Sequence, residues 1–447
     1  MIATTLGEIA GVVGGRLHGA DGDEIVRHVV IDSRAGGPQT LFAALAGDRV
    51  DGHHYAASAL ALGGAGTIGS RVVEGPCIVV DDVTAALGLL ARHQLDRSDA
   101  TVLALTGSQG KTSVKDLLAH VLSAAGPTVA PVGSFNNELG VPLTVLRLDE
   151  STRFVIAEMG ARGIGHIEVL CRIAPPTISA VLNVGTAHLG EFGSPENIAR
   201  AKGEIVEALP AYGTAVLNAD DPRVAAMRDR TAARVLTFGA AGDVRLGDVR
   251  LDDAGEPHFT LAHGETSVPV HVPQVGAHQA VNAAAAAACA LAAGLHLADV
   301  VDRLGTAGAA SPMRMARTVR DDGLLVVNDA YNANPESMAA ALRAVAALPR
   351  PRRAAVLGEM LELGDSSTEA HRAIGRLVRE LGFDSVVVVG DGAAGIAEGA
   401  GDVAVLVPDV DVAVSTLSAW LTPTDVVLVK ASRGCRLERV ADGLLGR

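Results

Sequence analysis

The stretch TGSQGKTS, Thr106 to Ser113, concentrates glycine, lysine and hydroxyl side chains between an apolar run, TVLAL, and a helical pattern, VKDLLAHVLSAAG. A strand entering a glycine-rich turn and then a helix aims backbone N–H groups and the positive helix end at one point, where phosphate fits. Gly107 and Gly110 would let the backbone approach closely, with Ser108, Gln109 and Ser113 completing the loop. Lys111 could neutralise β- and γ-phosphate oxygens, and the Thr112 hydroxyl could ligate Mg²⁺. The usual phosphate-loop signature places its first glycine where Leu105 stands. Here the glycine comes two residues later, so the loop reads G-x-x-G-K-T. Alone, it is also compatible with an ordinary strand–helix turn carrying a solvated lysine.

Three more polar residues stand on the elements that follow the loop. Glu158, in FVIAEMGARGIGHI, falls at the end of a strand pattern, where α/β proteins assemble their sites. His188 follows the next such pattern, in NVGTAHLGEFGS, and Lys202 lies on the helix after that, in ENIARAKGEIVEAL. Separately they read as a strand-end carboxylate, a loop imidazole and a surface lysine.

The elements needed to position these groups recur along the chain. Its 447 residues allow about three domains. Hydrophobic residues make up 49% and aromatics only 2%, which suits alanine-packed helices on Val/Leu strands. Strand patterns alternate with helical ones, the mark of parallel sheets covered by helices. The expected domains are 1–88, 89–312 with the phosphate loop, and 313–447 with a Rossmann-like rhythm (LLVVNDA, AAVLGEM, SVVVVGD, VAVLVPD, DVVLVKAS). Residues 1–88 show one clear helical pattern, HYAASALALGG. Between about 243 and 273 short alternating runs predict a small antiparallel sheet. The fold class is therefore α/β in three domains.

Mean hydropathy is positive, yet the strongest membrane candidate, Ala280 to Leu295, is short, alanine-rich and carries Asn282. A buried helix is expected. No basic n-region marks an export signal at the start. The four dispersed cysteines predict reduced thiols in a cytoplasmic protein. A net charge of -14 argues against broad nucleic-acid or anionic-membrane binding, while leaving room for a small anionic ligand held locally.

TGSQGKTS resembles the T-G-T-x-G-K-T loop of the Mur ligase superfamily, which lacks the first glycine of the usual signature. Ser108 stands where threonine is more usual, keeping a hydroxyl. The resemblance implies ATP and Mg²⁺ as cofactors and phosphate neutralisation by Lys111. It also implies metal ligation by Thr112, Glu158 and His188, and carbamylation of Lys202 by CO₂ into a further metal-binding carboxylate. GAHQAVNAAAA is similar to the superfamily's adenine-side helix, which implies a role for Asn282 and, more loosely, His278. SPMR and NDAYN imply that Arg314 meets phosphate and Asp329 meets ribose.

Within the superfamily, NDAYNANPES, GSFNNELGVPLTVL and LGEMLELG are similar to the ligases that add D-alanyl-D-alanine to UDP-N-acetylmuramoyl-tripeptide. That likeness implies Asn136, Asn137 and Glu138 in a central substrate cleft. It puts Tyr331, Asn332 and Asn334 near adenine or the dipeptide. IDSR and LAGDRVDGHHY resemble the UDP-sugar-binding domain, with Ser33 and Arg34 at the uridine or diphosphate end. EAHRAIG and KASRG match more loosely, through His371, Lys430, Ser432 and Arg433. The implied reaction forms an acyl phosphate and then an amide during cytoplasmic peptidoglycan precursor synthesis. One chain holds the whole implied site, so a monomer is expected. A sister amide ligase with another amino donor, a folylpolyglutamate synthase and a nucleotide-switched binding protein are the competing readings.

Overall fold

The runs TVLALT, FVIAE and ISAV are mostly apolar on both faces, as strands covered on both sides tend to be. In the computed structural model, which describes residues 1–47, 50–186 and 189–447, they form the strands Thr101–Thr106, Phe154–Glu158 and Ile178–Val181. These lie side by side and parallel, Thr101–Thr106 in the middle. Glu158 pairs in register with Leu105, and Val181 with Thr106, so three carboxyl ends finish at one level. The chain passes from the middle strand to one neighbour and then crosses to the other. That reversal opens a crevice beyond the strand ends, where ligands bind in open α/β sheets.

The same sheet contains nine strands. Thr214–Asn218 and Arg234–Gly239 extend the parallel part, and Val244–Leu251, Pro257–His263 and Thr266–His271 follow as an antiparallel edge. The antiparallel runs expected near 243–273 are thus continuous with the central sheet, joined through Phe238–Val244 and Gly239–Arg245 pairing. On one face of this sheet the helix Lys111–Ser123 packs against the helix His278–Ala292. Ala280 and every residue from Ala283 to Ala290 on the latter are buried. The alanine-rich run is therefore core, and among the described residues no helix is long and apolar enough to cross a membrane.

The first part of the chain forms a five-stranded sheet ordered Arg16–His18, Cys77–Val79, Gly66–Gly69, Thr40–Ala43 and His28–Val30, parallel apart from its Arg16–His18 edge. The run read as one helix, HYAASALALGG, divides into a 3₁₀ turn, Gly52–Tyr55, and a short helix, Ala56–Ala61. Asp51 caps the turn by accepting from the His53 N–H.

The last part forms a six-stranded sheet. Leu325–Asn328, Val426–Lys430, Arg353–Leu357, Ser385–Val389 and Ala404–Val407 are parallel. An antiparallel edge strand, Ala316–Val319, was not evident in the sequence. Its ARTV residues alternate between half-buried and exposed, and two of the four are polar, so it lacks the apolar signature of its neighbours.

Candidate active site

The phosphate loop leaves Thr106 and enters the helix Lys111–Ser123 through Gly110, whose φ of 81° only glycine adopts readily. A Cβ there would lie 2.7 Å from Asn282 Oδ1, so the missing side chain is also what admits the Asn282 amide. Lys111 Nζ folds back to donate to the Gly107 carbonyl at 2.5 Å. Burial lowers its pKa, opposed by nearby Glu158 and assisted by Arg314. A neighbour that sequence reasoning missed clamps the loop: Asn183 Oδ1 accepts from Gln109 N–H at 3.0 Å, and its Nδ2 donates to the Gln109 carbonyl. Ser108 Oγ accepts from Gly185 N–H at 2.9 Å. The sole sequence signal for Asn183 was its place just beyond a strand end.

Glu158 is 1% exposed, and each of its oxygens is engaged. Thr112 Oγ1 donates to Oε2 at 3.1 Å and Asn136 Nδ2 donates to Oε1 at 2.9 Å. Lys202 faces the same cavity from the helix Pro195–Glu207 at 4% exposure. Its pKa is driven well down, first by desolvation and then by the Lys111 cation. His188 lies outside the described residues. A hydroxyl, a buried carboxylate and an amine held toward its neutral form provide the chemistry a hard divalent cation needs, once the amine carries CO₂. The residues present therefore fit Mg²⁺.

The opposite wall comes from the C-terminal domain. Arg314 donates through Nη2 to Thr112 Oγ1 at 3.2 Å, and its guanidinium stacks 4.3 Å from the centre of the Tyr331 ring. It is presented between two residues in the left-handed region, Met313 at φ 56° and Met315 at φ 50°. Such torsions persist only where the surroundings hold them. Here Met315 N–H donates to Asp329 Oδ1 at 3.0 Å. Asp329 Oδ2 accepts from Lys430 Nζ at 2.6 Å, and the same ammonium donates to the Asn332 carbonyl. Burial lowers the Lys430 pKa against the opposing pull of Asp329. Tyr331 Oη meets Ser134 Oγ. Asn334 caps the helix Pro335–Ala346 through Oδ1, and its Nδ2 reaches the Ser108 carbonyl at 3.4 Å. Both ends of that amide are thus engaged within the protein.

These groups border one cavity of about 570 Å³. Ser108 to Ser113, Asn136, Asn137, Glu138, Glu158, Lys202, His278, Asn282, Arg314, Asp329, Tyr331, Asn332, Asn334 and Lys430 all line it. Burial pushes His278 down to about 4, leaving its imidazole neutral near pH 7. Asn282 Nδ2 donates to Gln279 Oε1 at 2.8 Å. Other expected residues lie elsewhere. Ser33 and Arg34 form an exposed 3₁₀ turn of the N-terminal domain, with Arg34 paired to Asp32, and neither lines the cavity. His371 is buried away from it, accepting from Met360 N–H through Nε2 and donating from Nδ1 to the Ser367 carbonyl, a bracing role. Ser432 accepts from Leu361 N–H, and Arg433 pairs with Glu438.

A contact between domains also went unread in the sequence. Glu336 Oε1 accepts from both the backbone N–H and the hydroxyl of Thr186, at 2.9 and 2.8 Å. It joins the start of helix Pro335–Ala346 to the segment that follows strand Ile178–Val181.

Comparison with known proteins covers nearly the whole chain. Models of the Mur ligase middle domain, the Mur ligase glutamate ligase domain and the Mur ligase family catalytic domain match residues 105–290, 313–433 and 25–94. The UDP-N-acetylmuramoyl-tripeptide--D-alanyl-D-alanine ligase of Mycobacterium tuberculosis is 45% identical, the alignment covering 100% of this chain and 98% of the relative. The ligase of the same name from Escherichia coli is 34% identical over 99% of both. A crystal structure of MurF from Acinetobacter baumannii superposes with a TM-score of 0.91 at 32% identity, covering 100% and 99% of the two chains. MurF ligase from Thermotoga maritima in complex with ADP superposes with a TM-score of 0.82 at 30% identity, covering 94% and 97%.

Proposed function

Because this chain belongs to the Mur ligase family, we infer that it uses ATP to join D-alanyl-D-alanine to UDP-N-acetylmuramoyl-tripeptide in peptidoglycan synthesis. The observation that carries the reading is full-length likeness to ligases of that name, with the phosphate loop and the NDAYNAN stretch on facing walls of one cavity.

The reaction needs activation because a carboxylate is a poor electrophile. The tripeptide's terminal carboxylate attacks the γ-phosphorus of ATP, and the bond to the β-bridging oxygen breaks to release ADP. The dipeptide amine then attacks the acyl carbon, a tetrahedral intermediate forms, and phosphate leaves as the amine loses its proton. In such a transfer the protein mainly positions reactants and neutralises charge. Lys111 and the helix N-terminus meet the phosphates, and Arg314 approaches them from the C-terminal domain. Asn282 lies beside the loop as an adenine contact, and Asn136, Asn137 and Glu138 border the acceptor side. Ser33 and Arg34 hold the uridine diphosphate end on the N-terminal domain.

Thr112, Glu158, His188 and Lys202 are the residues that would hold Mg²⁺, which when bound supplies positive charge to the phosphate oxygens. A buried lysine held neutral is the form that adds to CO₂, losing a proton to give a carbamate. The substrates and the self-contained site support a cytoplasmic monomer.

The test is phosphate release from ATP and Mg²⁺ with UDP-N-acetylmuramoyl-tripeptide, comparing D-alanyl-D-alanine with single amino acids. Release coupled to a pentapeptide product only with the dipeptide is expected. Release indifferent to the acceptor would remove the ligase assignment.

A further inference from the structure

The antiparallel edge of the central sheet carries a second group of potential ligands, none of which lines the cavity above. His258 and His271 face each other across the strands Pro257–His263 and Thr266–His271. The adjoining bond, Val272 N–H to the Pro257 carbonyl, makes theirs a non-hydrogen-bonded pair. At such positions Cα atoms sit about 4.5 Å apart and side chains come closest. The two rings stack with centroids 4.4 Å apart.

Each imidazole meets a carboxylate whose other oxygen is already fixed. Asp252 Oδ1 accepts from the Ala254 and Glu256 N–H groups, both at 2.9 Å, while Oδ2 lies 3.1 Å from His258 Nε2. Glu256 Oε1 is held by Arg317, and Oε2 lies 2.8 Å from His271 Nε2. One ligand atom each from Asp252, His258 and His271 falls within 4.8 Å of the others. Tetrahedral zinc, with bonds of about 2.0–2.2 Å, needs its donors about 3.4 Å apart. Glu256 lies outside that trio, and an ion would draw all four side chains inward and turn the stacked rings toward it.

We propose that Asp252, His258 and His271, with Glu256 as the fourth donor, form a Zn²⁺-binding site on this edge. Two imidazoles and two carboxylates suit zinc, whereas Mg²⁺ takes oxygen donors and water. The side chains of His258, His271 and Asp252 are 53%, 37% and 35% exposed, so an ion can reach them. The site also lies on a seam. Arg317, on the first strand of the C-terminal domain, donates to the Ala254 carbonyl at 2.9 Å and pairs with Glu256. Zinc held by Glu256 Oε2 would share its carboxylate with that arginine, tying the central sheet to the C-terminal domain.

The test uses the full chain, freed of metal and kept in excess Mg²⁺, titrated with Zn²⁺ by calorimetry and with Co²⁺ by visible absorption. One equivalent of Zn²⁺ and a tetrahedral Co²⁺ spectrum are expected. His258→Ala and His271→Ala should each weaken Zn²⁺ binding by about 100-fold or more, since even an outer-shell change costs 10–100-fold. Glu158→Gln, which alters the cavity, should leave it unchanged. Unaltered melting of the metal-free histidine variants would show that their fold is intact. The site is refuted if the parent takes up no Zn²⁺, if the double histidine variant retains parental affinity, or if Glu158→Gln abolishes binding.

Discussion

Replacing Gly110 by alanine imposes two penalties that can be measured apart. The first is torsional: φ is 81°, and an L-residue in the left-handed region costs about 1–2 kcal/mol. The second is steric, because the new methyl would sit 2.7 Å from Asn282 Oδ1. Displacing that amide breaks its 2.8 Å bond to Gln279, about 0.5–1.5 kcal/mol, and forces an off-rotamer side chain, about 0.5–1.5 kcal/mol more. Gly382 supplies the control, with φ 69° and nothing within 4 Å of the point where a methyl would sit. Gly382→Ala therefore carries the torsional part alone. Gly110→Ala should cost a further 2 kcal/mol or so, about 6 °C in melting temperature at about 2–4 °C per kcal/mol for a domain of this size. Scanning fluorimetry at one fixed rate compares both variants with the parent. In an Asn282→Ala background the extra loss should vanish, leaving only the torsional part. If Gly110→Ala melts no lower than Gly382→Ala, or if Asn282→Ala leaves the gap unchanged, the steric argument fails.

Three further outcomes are expected. Lys111→Ala should abolish pentapeptide formation while changing the melting temperature little, by about 2–4 °C per kcal/mol lost, because among the described residues its side chain bonds only to its own loop; turnover in a folded variant would remove the assigned role. Lys430→Met should destabilise by about 3–5 kcal/mol by leaving Asp329 buried without its cation, and Asp329→Asn in the same chain should recover part of that loss, as denaturant titration would show. His278 has its pKa lowered from 6.5 to about 4, so the unfolded chain binds the extra proton between those values. Its contribution, about 3 kcal/mol, is complete above pH 6.5 and is lost as pH falls toward 4; His278→Gln should flatten the melting temperature across that window.

The phosphate loop could be found in the sequence because strand, turn and helix chemistry is local, and apolar runs announce buried parallel strands. Glu158 and Lys202 are singled out by the family resemblance, since alone they read as a strand-end carboxylate and a surface lysine. Asn183, which clamps the loop from another strand, could not. Its role depends on register between Ile178–Val181 and Thr101–Thr106, a non-local fact. The Glu336–Thr186 contact likewise depends on how two domains dock. Edge strand Ala316–Val319 escaped notice because an edge need not be apolar on both faces. His371 is tied to the dipeptide side only by a loose likeness, and its backbone partners Met360 and Ser367 come from packing that the stretch EAHRAIG does not display.

The alanine run on helix His278–Ala292 works as a distance gauge. A buried alanine has no rotamer to select, so this face has one shape and surrenders no side-chain entropy on folding. The helix packs directly against Lys111–Ser123, and Asn282 meets Gly110 from it. Tolerance to change is consequently one-sided. A larger residue at any of the alanines that meet Lys111–Ser123 would widen the gap and carry the amide outward, while glycine there would leave the spacing and loosen the helix. The position of a nucleotide-facing group is thus written in small side chains on its own helix, beginning with the residue next to it.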